Sequence, residues 1–514
     1  MKAGLLVALA LACSLSGIGR AAGQRLPLSS GDSALVGAIL LAEDQRDASS
    51  AALAEGARHP DPAIQLLARR AAARIANPLF SLRDSFPRLP APPSYPDPAW
   101  RLRYRALKSD DCVALRGALA DSALPVRLHA ADLSTASCAG DSLLIRALIT
   151  WVRSAPPNAS RVRGGASWHP AAHGLLALAR IRPEVARRML PSVARSPVRW
   201  LRTYAARAAG VVADTALLRT FARDEDDNVK EAAIDALAKV TGHADDDVYL
   251  AALTARGYQA VRAAARALAG SSRKNDVLLA ALTTARRLRV DSSETSRDTR
   301  LSLLERIGEN ADVAHARAIA DLAYDFDCMV AQAAATIAAR FGPTTGMAPR
   351  CTRLPVRLPG DAVALALGRE VRLRVVLADS SGGGSFTVRL RGDVAPIMAA
   401  RILALARSRY YGGLTWQRVE PDFVIQGGSP RANEYVGNPR FIRDELGTLP
   451  HARGTVGMST RGHDTGDAQW FVNLRDNLRL NRDYSIFGEV VDGIDVVDGI
   501  LEGDVIARIE ILLP

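Results

Sequence analysis

Trp416-Gln417-Arg418-Val419-Glu420-Pro421-Asp422-Phe423-Val424-Ile425-Gln426-Gly427-Gly428 holds one Arg, two Gln and several large apolar residues. Gly454-Thr455-Val456-Gly457-Met458 and Ala468-Gln469-Trp470-Phe471 follow it along the chain. These stretches contain no activated nucleophile, no cluster of metal-ligating side chains and no phosphate loop. The set suits chemistry in which no covalent bond is made or broken.

The surrounding sequence is rich in strand signals. Val371–Ala378 and Ser385–Leu390 favour strands, and Gly382-Gly383-Gly384 between them reads as a hairpin turn. Pro396–Ala406 has helical periodicity, and Val505–Leu513 has the pattern of a closing strand. Mixed strands with few helices predict a β-barrel with capping helices over 365–514.

The order of motifs within this region is specific. Ala395-Pro396 opens a helix, and Tyr410-Tyr411-Gly412-Gly413-Leu414-Thr415-Trp416 leads into the Arg418 stretch. Arg453 to Met458, Ala468 to Phe471 and Asp483-Tyr484-Ser485-Ile486-Phe487-Gly488 complete it. In this order and spacing the region resembles the cyclophilins, peptidyl-prolyl cis/trans isomerases. The resemblance covers about residues 368–514. It implies a catalytic role for Arg418, with Gln426 orienting it or the substrate carbonyl. It implies that Phe423, Val424, Phe471 and Leu480 wall a proline pocket, that Gln469 contacts substrate and that the Tyr484 ring covers the prolyl group. Ser459 and Thr460 stand where the family usually has Ala-Asn, a pair that binds peptide through the backbone. Val424 replaces a more usual Met, Gln417 a frequent His and Trp470 a frequent Phe. Arg479 occupies the position whose Trp supports cyclosporin binding, which predicts weak inhibition by that drug. The family needs no cofactor or metal.

At 514 residues the chain exceeds one ordinary domain. Its 48% hydrophobic content supports well-buried cores, while aromatics supply only 5%, so Ala and Leu favour helix. From about 30 to 342 a theme recurs: a helix-starting polar residue, then a short apolar–Arg–Ala–Ala helix. Asp61-Pro62-Ala63-Ile64, Pro125-Val126-Arg127, Ser196-Pro197-Val198-Arg199, Asp227-Asn228-Val229, Ala260-Val261-Arg262 and Asp327-Cys328-Met329-Val330 each open one unit. Val198, Val229 and Val261 lie 31 and 32 residues apart. Weaker copies fit around Arg101–Leu107, Ala171–Leu178 and Thr299–Leu304. This pattern resembles a HEAT-type α-solenoid, with 343–364 as a linker and Phe86 to Pro93 as an interrupting loop.

The net charge of +12 divides unevenly. Residues 365–514 hold 18 Arg and 19 acidic residues, so the remainder carries +13. Those Arg residues are spread at helical intervals rather than in blocks, which reads as solvated helix faces rather than a nucleic-acid site. His169 and His173 could share a helix face, but no third ligand lies near them in sequence.

Residues 1–23 read as an export signal: Lys2, the apolar run Leu5–Leu15, then small residues at Gly19, Ala21, Ala22 and Gly23. That run is too short to span a bilayer, and Cys13 is a weak lipoprotein box. A bacterial periplasmic or envelope location follows as the expectation. Cys112, Cys138, Cys328 and Cys351 then have three possible pairings, of which neighbours in sequence are the most economical, with free buried thiols as the alternative. Taken together, the sequence predicts an exported isomerase acting on proline-containing polypeptides, with protein partners held by the repeats. The rival is a binding scaffold that grips proline-containing loops without turnover.

Overall fold

The computed structural model describes residues 29–77, 91–158, 167–341, 349–351 and 357–513. The expected signal segment and Cys13 lie outside these residues, as do Phe86 to Pro90 and most of the first half of the expected linker.

Three helices come first: α1 (Ser30–Gln45), α2 (Ala51–Ala57) and α3 (Pro62–Ala76). A long helical array follows. It runs through α4 (Ala99–Ala106), α5 (Cys112–Ala118), α6 (Leu124–Leu133), α7 (Ser142–Arg153), α8 (His169–Ile181), α9 (Pro183–Ala194) and α10 (Arg199–Val211). It continues with α11 (Thr215–Phe221), α12 (Asp227–Thr241), α13 (Asp246–Ala252), α14 (Tyr258–Ala267), α15 (Lys274–Val290), α16 (Arg297–Asn310), α17 (Ala316–Ala320) and α18 (Cys328–Ala338).

Starts of six of these helices follow from aspartate capping. Asp61, Asp111, Asp141, Asp214, Asp226 and Asp327 each accept hydrogen bonds from first-turn backbone N–H groups. In α12 the cap is Asp226 rather than Asp227, one residue before the expected position. The repeating anchors Ile64, Val126, Val198, Val229, Val261 and Val330 are all buried. Helices α8, α10, α12, α14, α16 and α18 stack each on the next. Alanine pairs and a glycine allow the close approach: a Cβ on Gly210 of α10 would lie 2.7 Å from the Ala236 Cβ of α12. Disulfides join Cys112 to Cys138 and Cys328 to Cys351.

The C-terminal part begins at α19 (Ala362–Ala366) and forms one eight-stranded antiparallel sheet. Its strands are β1 (Arg372–Leu377), β2 (Ser385–Leu390), β3 (Thr415–Val419), β4 (Val424–Ser429), β5 (Thr455–Met458), β6 (Trp470–Asn473), β7 (Ile486–Asp492) and β8 (Ile506–Leu512). Their order is β3-β4-β6-β5-β7-β2-β1-β8. The two edge strands meet through a bridge between Thr415 and Val505, so the sheet curls back on itself. Helix α20 (Pro396–Arg407) packs its apolar face on the sheet, and α21 (Ile494–Asp498) follows β7.

The apolar residues sort into two main cores. One belongs to the array from α5 to α18. The other joins the sheet and α20 to α1 and α3, placing Leu35, Ile39, Ile64 and Leu67 with Val371, Phe386 and Leu403. Thus Ile64, read in sequence as one of the repeat anchors, packs with the barrel. Arg74 of α3 seals the junction: it pairs with Glu43 at 2.6 Å and donates to the carbonyls of Leu446 and Val394. Burial pushes the Glu43 carboxyl up, but Arg74 and Arg70 outweigh it and hold the group below the usual range.

The array also grips the barrel elsewhere. Arg101 of α4 is fully buried and donates to Pro421 O, Leu474 O and Asp498. Trp168 and Trp200 stack against each other beside Gly503, where a Cβ would lie 2.8 Å from the Trp200 Nε1. His169 contacts Glu502 O through Nε2, and His173 contacts Asp132 and Tyr204, so both rings serve packing contacts.

Candidate active site

The cleft is built from one row of residues across four strands. Arg418 on β3 pairs in register with Gln426 on β4, Gln426 with Phe471 on β6, and Phe471 with Gly457 on β5. A β-bulge at Gln417 makes the row possible. Trp416 pairs with Gly427 and Arg418 with Gln426, so two steps on β3 oppose one step on β4. A bulge sends adjacent side chains to the same face. Trp416 stays fully buried in the core while Gln417 and Arg418 both reach the cleft.

All ten side chains assigned from sequence line one cavity of about 280 Å³: Arg418, Phe423, Val424, Gln426, Ser459, Thr460, Gln469, Phe471, Leu480 and Tyr484. Glu434, Arg461 and Arg479 line it with them. The cavity opens to solvent beside Arg418, which remains 40% exposed.

A chain of amides fixes the polar side. Gln469 donates through Nε2 to Glu434 O at 3.1 Å and Val436 O at 3.3 Å. Its Oε1 accepts from Gln417 at 2.8 Å and Gln426 at 3.2 Å. With its Nε2 spent on Gln469, Gln426 turns Oε1 toward Arg418 Nη1 at 3.4 Å. Gln426 and Gln469 are both buried, so each amide needs these partners. Buried Asp467 sets the backbone here by accepting from Ala468 N and Gln469 N.

The guanidinium is braced from outside. Arg418 Nε donates to Glu420 at 2.8 Å, and Glu434 Oε1 lies 3.7 Å from Nη1. Nη1 therefore carries only two long contacts. It is the donor edge most open to a ligand.

The apolar floor depends on a missing side chain. A Cβ on Gly457 would lie 2.4 Å from Cζ of Phe471, so only glycine lets the ring lie flat there. Tyr484 meets Phe471 edge-on at 5.8 Å, and His451 stacks behind it at 6.0 Å. Burial lowers the His451 pKa to about 4. The Arg479 guanidinium covers Phe423 at 4.3 Å, and Arg418 lies 5.9 Å from the same ring.

Two features were hidden in the sequence. Gln417 has no chemical task in the sequence reading, yet it joins the amide chain because of the bulge. Arg461 reaches the cleft while bonded to Asp298 of α16 and to Thr295 O, a contact that sequence spacing does not reveal.

Residues 375–511 match the profile of the cyclophilin type peptidyl-prolyl cis-trans isomerase/CLD family. A peptidyl-prolyl cis-trans isomerase of Helicobacter pylori strain J99 is 32% identical over 130 residues, which are 24% of this chain and 80% of that protein. Peptidyl-prolyl cis-trans isomerase B of Bacillus subtilis is 32% identical over 131 residues, 25% of this chain and 92% of that protein. A peptidyl-prolyl cis-trans isomerase of Acinetobacter baylyi is 34% identical over 125 residues, 23% of this chain and 66% of that protein. A crystal structure of a Cryptosporidium parvum cyclophilin-type isomerase aligns at 24% identity with a TM-score of 0.26, covering 28% of this chain and 99% of the other.

Proposed function

This chain belongs to the cyclophilin-type peptidyl-prolyl cis-trans isomerases through residues 375–511, and on that basis we propose that Arg418 drives X–Pro rotation. The barrier to rotation is about 18–20 kcal/mol, while the isomers differ by only about 0.5–1 kcal/mol. Catalysis therefore means stabilising the twisted amide, whose nitrogen has lost resonance and become a hydrogen-bond acceptor. Nη1 of Arg418 supplies the donor. Its hydrogen bond strengthens as the nitrogen pyramidalises, so it favours the transition state over both ground states. Gln426 aims the guanidinium, and Phe471, Phe423, Val424 and Leu480 hold the prolyl ring under Tyr484. Ser459 and Thr460 offer backbone and hydroxyl groups to the peptide. No proton moves, and no cofactor or metal has a role in this step.

The observation that carries this reading is the convergence of all ten side chains on one cavity, with Nη1 the least engaged donor at its edge. A protease-coupled assay on an X–Pro peptide tests it, comparing the full chain with Arg418→Ala. Equal rates would support the rival reading, a scaffold that binds proline segments without turnover.

We further propose that the protein works outside the cytoplasm and that its array is a HEAT-like scaffold for client proteins. The two disulfides support an oxidising compartment. Among the described residues no helix is long and apolar enough to cross a membrane. Successive stacking of α8 through α18, with buried anchors about one repeat apart, supports the solenoid reading. Fractionation and thiol trapping of the cysteines in cells would test the location. Cysteines found reduced in a cytoplasmic fraction would refute it.

A further inference from the structure

A second cavity, of about 780 Å³, lies between α10, α12 and the barrel, and Arg418 and Glu434 line it as well as the proline pocket. The two spaces therefore meet at the side chain proposed to act on the imide nitrogen.

Its array wall is made of one face each of α10 and α12. On α12, Ala232, Ala236 and Val240 recur every four residues, as do Glu231, Asp235 and Lys239 beside them, so both rows follow one side of the helix. On α10, Gly210 and Val211 continue the same floor. At Gly210 the two helices approach closely and the floor is bare, while Trp200, Tyr204 and Arg207 of α10 line the rest of that wall. Val211 and Val240 are 48% and 38% exposed, apolar groups facing an open channel. The opposite wall is the loop that carries Ala432 to Tyr435. This loop is tied to the array, since Asn228 donates to Arg431 O at 3.1 Å and Arg262 donates to the Tyr435 hydroxyl at 2.9 Å. These two contacts hold the loop wall of the channel to the array.

We propose that this channel is the continuation of the catalytic cleft, receiving the residues that flank proline in the same extended polypeptide and favouring small or apolar side chains there. The inference rests on the isomerase reading above. A polypeptide whose proline sits under Tyr484 and whose chain leaves past Arg418 would enter this channel, because Arg418 and Glu434 line both spaces. Its apolar strip of Ala232, Ala236, Val240 and Val211, rimmed by Glu231, Asp235 and Lys239, matches an extended strand with alternating buried and solvated side chains. Continuity through Arg418 and Glu434 selects this occupant over an unrelated partner.

The test uses the full chain and a set of peptides around one X–Pro centre: a four-residue core and versions extended with Ala and Val at either end. Exchange and affinity are read by NMR. At least one extension is expected to bind about tenfold more tightly than the core peptide. In Val240→Arg and, separately, Val211→Arg, that advantage is expected to fall to about onefold. Equal affinity of core and both extended peptides for the unaltered protein would overturn the proposal, and this arm needs no variant. An advantage that persists in both variants would overturn it too. Exchange of the core peptide distinguishes the two failures: with exchange intact only the channel proposal falls, and without exchange the isomerase reading falls.

Discussion

Arg461, which lines the cleft beside Arg418, donates through Nε to Asp298 on α16, 2.8 Å away. The array thus supplies a partner that positions a side chain of the cleft. The Tyr435 and Phe441 rings flank the guanidinium, and both ends of the contact are substantially shielded from solvent. Replacing Asp298 by Ala should free Arg461 and misshape the pocket wall. A part-buried pair of this kind is worth about 1 kcal/mol. The expected result is a KM for X–Pro peptides raised about three- to fivefold with kcat within twofold, and recovery in Asp298→Glu. A kcat loss at unchanged KM would mean that α16 acts on the chemical step instead.

Arg418→Ala should lower kcat/KM by about 100- to 1000-fold, the usual loss for one transition-state donor. Arg418→Lys should rescue little. An ammonium cannot reproduce the planar donor edge that touches Glu420 and Gln426 together.

Gly457→Ala should reduce both activity and stability. The new methyl would meet the Phe471 ring at 2.4–3.0 Å and push it into the space meant for proline. Overpacking of this kind costs about 1–3 kcal/mol. Thermal unfolding and KM should shift together; a wild-type KM would show that the ring has another resting place.

His451 makes stability depend on acid. Its Nδ1 contacts Asn481, while buried Nε2 has no partner, so the ring is held neutral. Burial lowers its folded pKa to about 4 from the ordinary 6.5. The unfolded chain therefore binds the extra proton first. The stability tied to this group is complete above about pH 6.5, declines as pH falls, and is lost by about pH 4, a total of about 3 kcal/mol. Urea titrations of His451→Gln should show a shallower decline across this window. An unchanged slope would assign the acid sensitivity to other groups.

Arg74→Ala should destabilise the barrel although Arg74 lies in α3. It would leave Glu43 buried without its closest cation, a change that costs about 3–5 kcal/mol. Unfolding of the barrel and loss of isomerase activity should coincide. For the same reason, a fragment beginning near residue 360 should aggregate, because Val371 and Leu403 would lose the α1 and α3 side chains that share their core. A soluble, active fragment would refute this dependence.

Much of this architecture was legible in the chain. The Arg418, Gln426 and Phe471 motifs identify the barrel because a strand register fixes which residues become neighbours, and the motifs keep that register. The periodic valines and aspartate caps mark the array because burial of one helix stripe and satisfaction of first-turn N–H groups are local requirements. The place of Gln417 in the amide chain was not legible, because a bulge, which depends on pairing with a partner strand, decides which way it points.

By itself the sequence determined that the first part is helical, that the second is a cyclophilin-type barrel, and which ten side chains line one cavity, since periodicity and motif order act over short distances. Only the tertiary structure decided that α1 and α3 belong to the barrel core, that Asp298 holds Arg461, and that a channel runs from Arg418 along α10 and α12. These facts depend on how two surfaces far apart in the chain meet. The apolar helix stripe that buries Ile64 would serve equally well against another helix or against a sheet, so its partner is chosen by packing and not by local pattern.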